Sequence, residues 1–135
     1  MQYYAVIDTN VLVSAILKFK SIPGQIIMES LSGCITPLLC DEIIAEYKEV
    51  LSRPKFQFDP DMIDAVIDGI KSRGIFLDAT SVDDILLDFD DVVFYEVVMT
   101  GRKKYGEAYL VTGNIKHFPI KTYIVTPKEM LEIIQ

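Results

Sequence analysis

Tyr3-Tyr4-Ala5-Val6-Ile7-Asp8-Thr9-Asn10-Val11-Leu12 opens the chain with a short run of β-forming residues that stops at an acid. Asn10 then starts a helical pattern in Val11, Leu12, Ala15 and Ile16, so the stretch reads as a strand passing directly into a helix. A strand followed at once by a helix is the unit from which parallel sheets are built, because each parallel step needs a crossover connection. It also leaves Asp8 at the carboxyl end of a strand, the side of such a sheet on which ligands bind.

Outward from this stretch, the alternation continues. Pro23, Ile26, Ile27 and Leu31 give a second helix that stops at Gly33, and residues 34–36 can return as a short strand. Asp41 can cap a helix whose apolar stripe is Ile43, Ile44, Tyr47, Val50 and Leu51, ended by Pro54. Asp59-Pro60 starts another helix, with Met62, Ile63, Val66, Ile67 and Ile70 inward and Gly74 after it, and residues 75–77 follow as a strand. Beyond a polar stretch, Asp91 precedes Phe94, Tyr95 and Val98 at helical spacing, with Gly101 as the expected stop and Arg102, Lys103 and Lys104 as a basic turn. Residues 108–111 and 123–125 read as strands, and Thr126-Pro127-Lys128-Glu129 as a capping box for the last helix. The expected fold is α/β, a three-layer α/β/α sandwich with a mostly parallel central sheet, built as one domain over residues 1–135.

The composition is globular, and no stretch is long and uncharged enough to cross a bilayer. The N-terminus lacks a basic region and a small-residue cleavage site, so the chain is expected to be cytoplasmic. Cys34 and Cys40 have no zinc-site spacing and read as buried thiols. The net charge of −7 opposes nucleic-acid binding by bulk attraction. Basic residues nevertheless cluster, at Lys18/Lys20, Arg53/Lys55, Lys71/Arg73, Arg102/Lys103/Lys104 and Lys116/Lys121, while several acids gather between Asp83 and Asp91. Metal cations bound by such acids would cancel charge where a phosphate comes closest.

Three acids from separate elements stand out. Asp8 ends the first strand. Glu46 lies at the margin of the stripe Ile43, Tyr47 and Val50, whereas Glu42 and Glu49 turn toward solvent. Asp91 shares a face with Phe94, Tyr95 and Val98. Carboxylates set against apolar groups need partners, and a hard cation such as Mg²⁺ or Mn²⁺ supplies one. Each acid also has an ordinary reading: Asp8 as a turn residue or helix cap, Glu46 as a solvated helix charge, and Asp88, Asp90 and Asp91 as a polar loop ending in an N-cap. Asn114 suits a left-handed turn, and His117, the lone histidine, reads as structural. The joint placement on one predicted sheet rim favours the metal.

The segments Val6-Ile7-Asp8-Thr9-Asn10-Val11-Leu12, Asp41-Glu42-Ile43-Ile44-Ala45-Glu46-Tyr47, Asp88-Phe89-Asp90-Asp91, Leu110-Val111-Thr112-Gly113-Asn114 and Lys116-His117-Phe118-Pro119 run in order through nearly the whole chain. Together they resemble the PIN-domain family, in its branch of toxin components of bacterial and archaeal toxin–antitoxin systems. The resemblance implies a PIN-like fold and a metal-dependent endoribonuclease in which Asp8, Glu46 and Asp91 hold Mg²⁺ or Mn²⁺, with Asp8 central. Asn10 and Thr112 would orient the ligands or water. Many PIN nucleases carry Asp at the position of Asn114; the amide can still coordinate through its carbonyl, but removes one negative charge. Arg53, Lys116, Arg102 and Lys103 are the candidates to guide an RNA backbone. An antitoxin partner and a homodimer are further expectations. Two rivals remain: a PIN scaffold that binds RNA or a partner protein without cutting, and a receiver-like phosphoacceptor, which the lone Asp after the first strand disfavours.

Overall fold

The computed structural model describes residues 2–78 and 89–135, with the side chains of Phe89 and Asp90 outside that description. The opening run forms β1 (Tyr3–Ile7), followed by α1 (Thr9–Leu17) and α2 (Ile22–Ser32). Next come β2 (Ile35–Leu39), α3 (Asp41–Leu51), α4 (Pro60–Arg73) and β3 (Ile75–Phe76). The second half contributes α5 (Phe89–Tyr105), β4 (Tyr109–Val111), β5 (Ile124–Val125) and α6 (Pro127–Ile134), with 3₁₀ turns at Pro54–Phe56 and Ile115–His117.

All described strand pairings are parallel, in the order β3-β2-β1-β4-β5. Ala5, Val6 and Ile7 are buried in succession, as are Leu38–Leu39 and Leu110–Val111. Consecutive burial, rather than alternation, means that both faces of the sheet are covered. α5 lies across β1, β2 and β4, while α2 and α4 pack together against β2 and α6 closes on α2 and β5. The chain steps from β1 to β2 to β3 in one direction, then reverses through α5 to β4. With right-handed crossovers, that reversal moves the connecting helix to the opposite face. It also makes the gap between the carboxyl ends of β1 and β4 the topological switch point of the sheet.

The boundaries that differ most from the sequence reading are the ends of β2 and α5. β2 runs through Pro37 to Leu39 rather than stopping at Thr36. Pairing with β3 begins only at Leu38, so the missing Pro37 amide interrupts no bond of the described β2–β3 ladder. Gly101 does not end α5, which continues to Tyr105; a Cβ at Gly101 would stand 2.5 Å from Leu38 Cδ1, so this glycine permits close packing of helix on sheet. The left-handed glycine that follows the helix is Gly106, φ 86°, whose amide donates to the Arg102 carbonyl at 3.0 Å. The basic residues Arg102, Lys103 and Lys104 thus form the last turn of a helix and not a loop. Cys40 is buried and its thiol is pushed up to about 11 by burial, whereas Cys34 is only partly buried. Among the described residues no single helix is long and apolar enough to cross a membrane.

Candidate functional site

Asp8 sits at the switch point and is 6% exposed. Its backbone is fixed on both sides, with its amide donating to Val111 O at 2.9 Å and its carbonyl accepting from Val11 N at 3.0 Å. The residue occupies the N-cap position of α1, but its side chain makes no cap bond. Oδ2 accepts a hydrogen bond from Thr112 Oγ1 at 2.7 Å, and that hydroxyl oxygen in turn accepts from Asn114 N at 3.0 Å. The helix-cap reading of Asp8 therefore describes its backbone only, and the carboxylate is held across the switch point by β4.

Burial pushes the Asp8 carboxyl above its ordinary range; the Thr112 hydroxyl and the Thr9 amide oppose that shift, Asp91 reinforces it and His117 opposes it. The fold thus holds an acid where ionisation is disfavoured by desolvation and by a second acid. A cation at this rim would reverse both effects.

α3 grips the chain on either side of Asp8. Glu46 accepts a hydrogen bond from the Thr9 hydroxyl, and the buried Tyr47 hydroxyl donates to the Ile7 carbonyl. Tyr47 also meets Phe94 of α5, ring centroids 6.4 Å apart, which ties the two helices that carry Glu46 and Asp91. Glu46 is half-buried while Glu42 and Glu49 are exposed, the ordering expected from the helical stripe. Asp91, in the first turns of α5, has a side chain 18% exposed and stands with Oδ2 3.7 Å from His117 Nδ1. Asp83, Asp84 and Asp88 lie outside the described residues, as does the side chain of Asp90.

The donors gathered here are oxygens, the set that suits Mg²⁺ or Mn²⁺. The Asn10 Oδ1 atom, in the first turn of α1, is buried without a hydrogen-bond partner, a further oxygen close in sequence to Asp8. Among the described residues no group of three His, Cys, Asp or Glu side chains could hold a metal ion by itself. Asp8, Glu46 and Asp91 are thus not brought together as a three-carboxylate group, and the oxygen donors suit a hard cation that keeps several waters, as Mg²⁺ does.

Asn114 is exposed and does not adopt the left-handed conformation: its φ is −120°, and it precedes the 3₁₀ turn that carries Lys116 and His117. Arg53 is engaged by Glu49 at 2.9 Å on the exposed side of α3. Arg102 and Lys103 are not brought to the rim. Along α5 they lie roughly 17 Å from Asp91, at ~1.5 Å per residue. Arg102 there donates to Ala108 O at 3.1 Å and covers the Tyr123 ring at 4.0 Å. Sequence pattern does not single out Thr9 or Tyr47 as site residues. Tyr47 is legible only as core, and the role of Thr9 depends on α3 packing beside α1, which no local pattern encodes.

A PIN-domain family model matches residues 4–116. The structure of VapBC2 from Rickettsia felis, bound to a DNA fragment from their promoter, is similar at 18% identity and a TM-score of 0.58, covering 93% of this chain and 97% of that one. The PIN-domain endonuclease Utp24 gives a TM-score of 0.47 at 21% identity, over 84% of this chain and 74% of that one. Identities this low speak to fold alone. No curated protein matches.

Proposed function

Because the chain belongs to the PIN-domain family, we propose that it is a metal-dependent endoribonuclease, acting on RNA phosphodiester bonds as the toxin of a toxin–antitoxin pair in the cytoplasm. The observation that carries this reading is the buried Asp8 carboxylate, bound by Thr112 at 2.7 Å at the switch point and sharing its electrostatic environment with Asp91. Asp8, Glu46 and Asp91 would hold Mg²⁺ or Mn²⁺, with Asn114 able to add a carbonyl oxygen. When bound, such an ion supplies an activated water and stabilises charge on the phosphate oxygens.

The chain's own residues fix the geometry. Thr112 orients Asp8, Thr9 orients Glu46, and Tyr47 locks α3 to the end of β1. An antitoxin would silence the enzyme by covering this rim, and a homodimer is the expected assembly. Replacing Asp8 by Asn in a folded protein should abolish Mn²⁺-dependent cleavage of single-stranded RNA; undiminished cleavage would falsify the reading.

A second reading is a PIN scaffold that binds RNA or a protein without cutting. It is favoured by Asn114, by the net charge of −7 and by the lack of a self-sufficient three-ligand group among the described residues. Calorimetry separates the two. Mn²⁺ uptake that disappears in Asp8→Asn supports the nuclease, whereas no uptake together with chelator-insensitive RNA binding supports the scaffold.

A further inference from the structure

Two recesses flank the acid rim, and their charges are opposite in character. The larger runs along α3 toward the start of α5 and is lined by Asp41, Glu42, Glu46, Glu49, Asp78 and Glu96, with Arg53 as the cation among its described lining residues. Arg53 is engaged by Glu49, so its charge is partly spent within the recess. The smaller is an open surface depression of about 370 Å³, lined by Gly113, Asn114, Ile115, Lys116, His117 and Thr126. Its described lining residues include no carboxylate.

The depression is joined to the rim at two points. Asn114 donates its amide to the Thr112 hydroxyl that holds Asp8, and His117 Nδ1 stands 3.7 Å from Asp91 Oδ2. The N-terminus of α6 borders it through Thr126, but that helix end is already satisfied: Glu129 N donates to Thr126 Oγ1 at 3.1 Å and Thr126 N donates to Glu129 Oε1 at 2.9 Å. A carboxylate at a helix N-terminus repels a second anion, so what the depression offers a phosphate is the Lys116 ammonium and the His117 ring N–H, both on exposed side chains.

We infer that an RNA strand engaged at the acid rim runs over loop 113–117, where Lys116 and His117 contact a backbone phosphate adjoining the scissile one, rather than continuing past Glu46 along the exposed acids Asp41, Glu42 and Glu49 of the α3 recess. This rests on the nuclease reading for the identity of the strand. It gives the acidic chain a local, one-sided path for a polyanion, and one that reads backbone rather than sequence.

The test is fluorescence anisotropy of a fluorescein-labelled, unstructured RNA in Mg²⁺, in an Asp8→Asn background that keeps the RNA intact. Adding Lys116→Ala and His117→Ala together should weaken binding at least tenfold for RNAs of different sequence. The slope of log affinity against log salt should shrink by ~0.7 for each phosphate that is no longer neutralised. Lys71→Ala, the same charge change on a remote surface, should leave affinity within twofold. The inference is overturned if the double variant binds within twofold of its parent, if Lys71→Ala matches its effect, or if the parent binds no RNA. Cleavage is scored separately, in Mn²⁺ with Asp8 intact, where the double variant should show a raised KM. Undiminished RNA affinity in an active double variant sinks the path and spares the nuclease; a weakened affinity, with no cleavage by the protein that has Asp8, Lys116 and His117 all intact, does the reverse.

Discussion

Replacing Asp8 by Asn should stabilise the metal-free protein while removing its response to metal. The carboxylate is 6% exposed, and burial, with Asp91 reinforcing it, raises its pKa despite the bond from Thr112. An Asn of nearly the same shape keeps an acceptor for the Thr112 hydroxyl and loses no cap bond, because the Asp8 side chain makes none. Each unit by which the folded pKa exceeds the unfolded one costs the ionised form about 1.4 kcal/mol of stability. With an unfolding entropy of ~2.1 cal/mol/K per residue, about 0.28 kcal/mol/K for a chain of this length, removing it raises Tm by roughly 5 °C per unit at pH 7 in EDTA. The pH dependence has a defined sign. Between the unfolded value near 3.8 and the raised folded value, the native state keeps a proton that the unfolded chain has lost. Wild-type stability should therefore fall as pH rises through the folded pKa of Asp8, a fall that Asp8→Asn abolishes. Adding Mn²⁺ at 100 times its Kd should restore about 2.7 kcal/mol to wild type and nothing to the variant. Thermal melts of both proteins from pH 4 to 8, with EDTA and with MnCl₂, read all three effects. An EDTA melt in which Asp8→Asn unfolds at or below the wild-type temperature at pH 7 would refute the claim that the buried charge is a net liability awaiting a cation.

Thr9→Val should lower Mn²⁺ affinity about tenfold, since an outer partner that orients a ligand is typically worth 10–100-fold, and titration calorimetry would expose an unchanged Kd. Tyr47→Phe leaves the Ile7 carbonyl without its side-chain donor and should cost about 1–2 kcal/mol in urea unfolding, with no loss of the m-value expected for a cooperative transition. Gly24→Ala should be more damaging than Gly101→Ala. The new methyl would meet the Phe19 carbonyl oxygen at 2.0 Å in the first case and a Leu38 methyl at 2.5 Å in the second, and a side chain can rotate where backbone cannot. The second should cost about 1–3 kcal/mol by overpacking, partly offset by ~1 kcal/mol of helix propensity; equal urea midpoints for the two variants would contradict the ranking.

Much of the fold is legible in the sequence because its signals are local. Successive apolar residues mark β1 and β4, and the stripe on α3 places Glu46 between its solvent-facing neighbours Glu42 and Glu49. The errors arise where one residue type answers to two demands. The strand read at residues 34–36 runs on through Pro37, which is tolerated in β2 because pairing to β3 starts one residue later. Gly101 reads as a helix stop, yet it serves the approach of α5 to Leu38 and Ala108. That second error also displaces Arg102, Lys103 and Lys104: a turn after Gly101 could fold back toward the rim, whereas one more helical turn carries them to the opposite end of the sheet.

The site divides along the same line between what topology dictates and what side chains add. Any sheet that reverses its winding between β1 and β4 brings residues 8 and 112 to one crevice, so the position of Asp8 follows from alternating strands and helices alone. What the fold does not dictate is that Thr112 offers a hydroxyl to Asp8, or that Glu46 and Tyr47 take hold of Thr9 and Ile7 on either side of it. These pairs are 104, 37 and 40 residues apart in the chain, beyond the reach of any periodicity. Their common effect is to immobilise a buried acid whose desolvation the Thr112 hydroxyl offsets only in part. Holding a charge where burial still disfavours it makes physical sense when the charge is meant for something that arrives later.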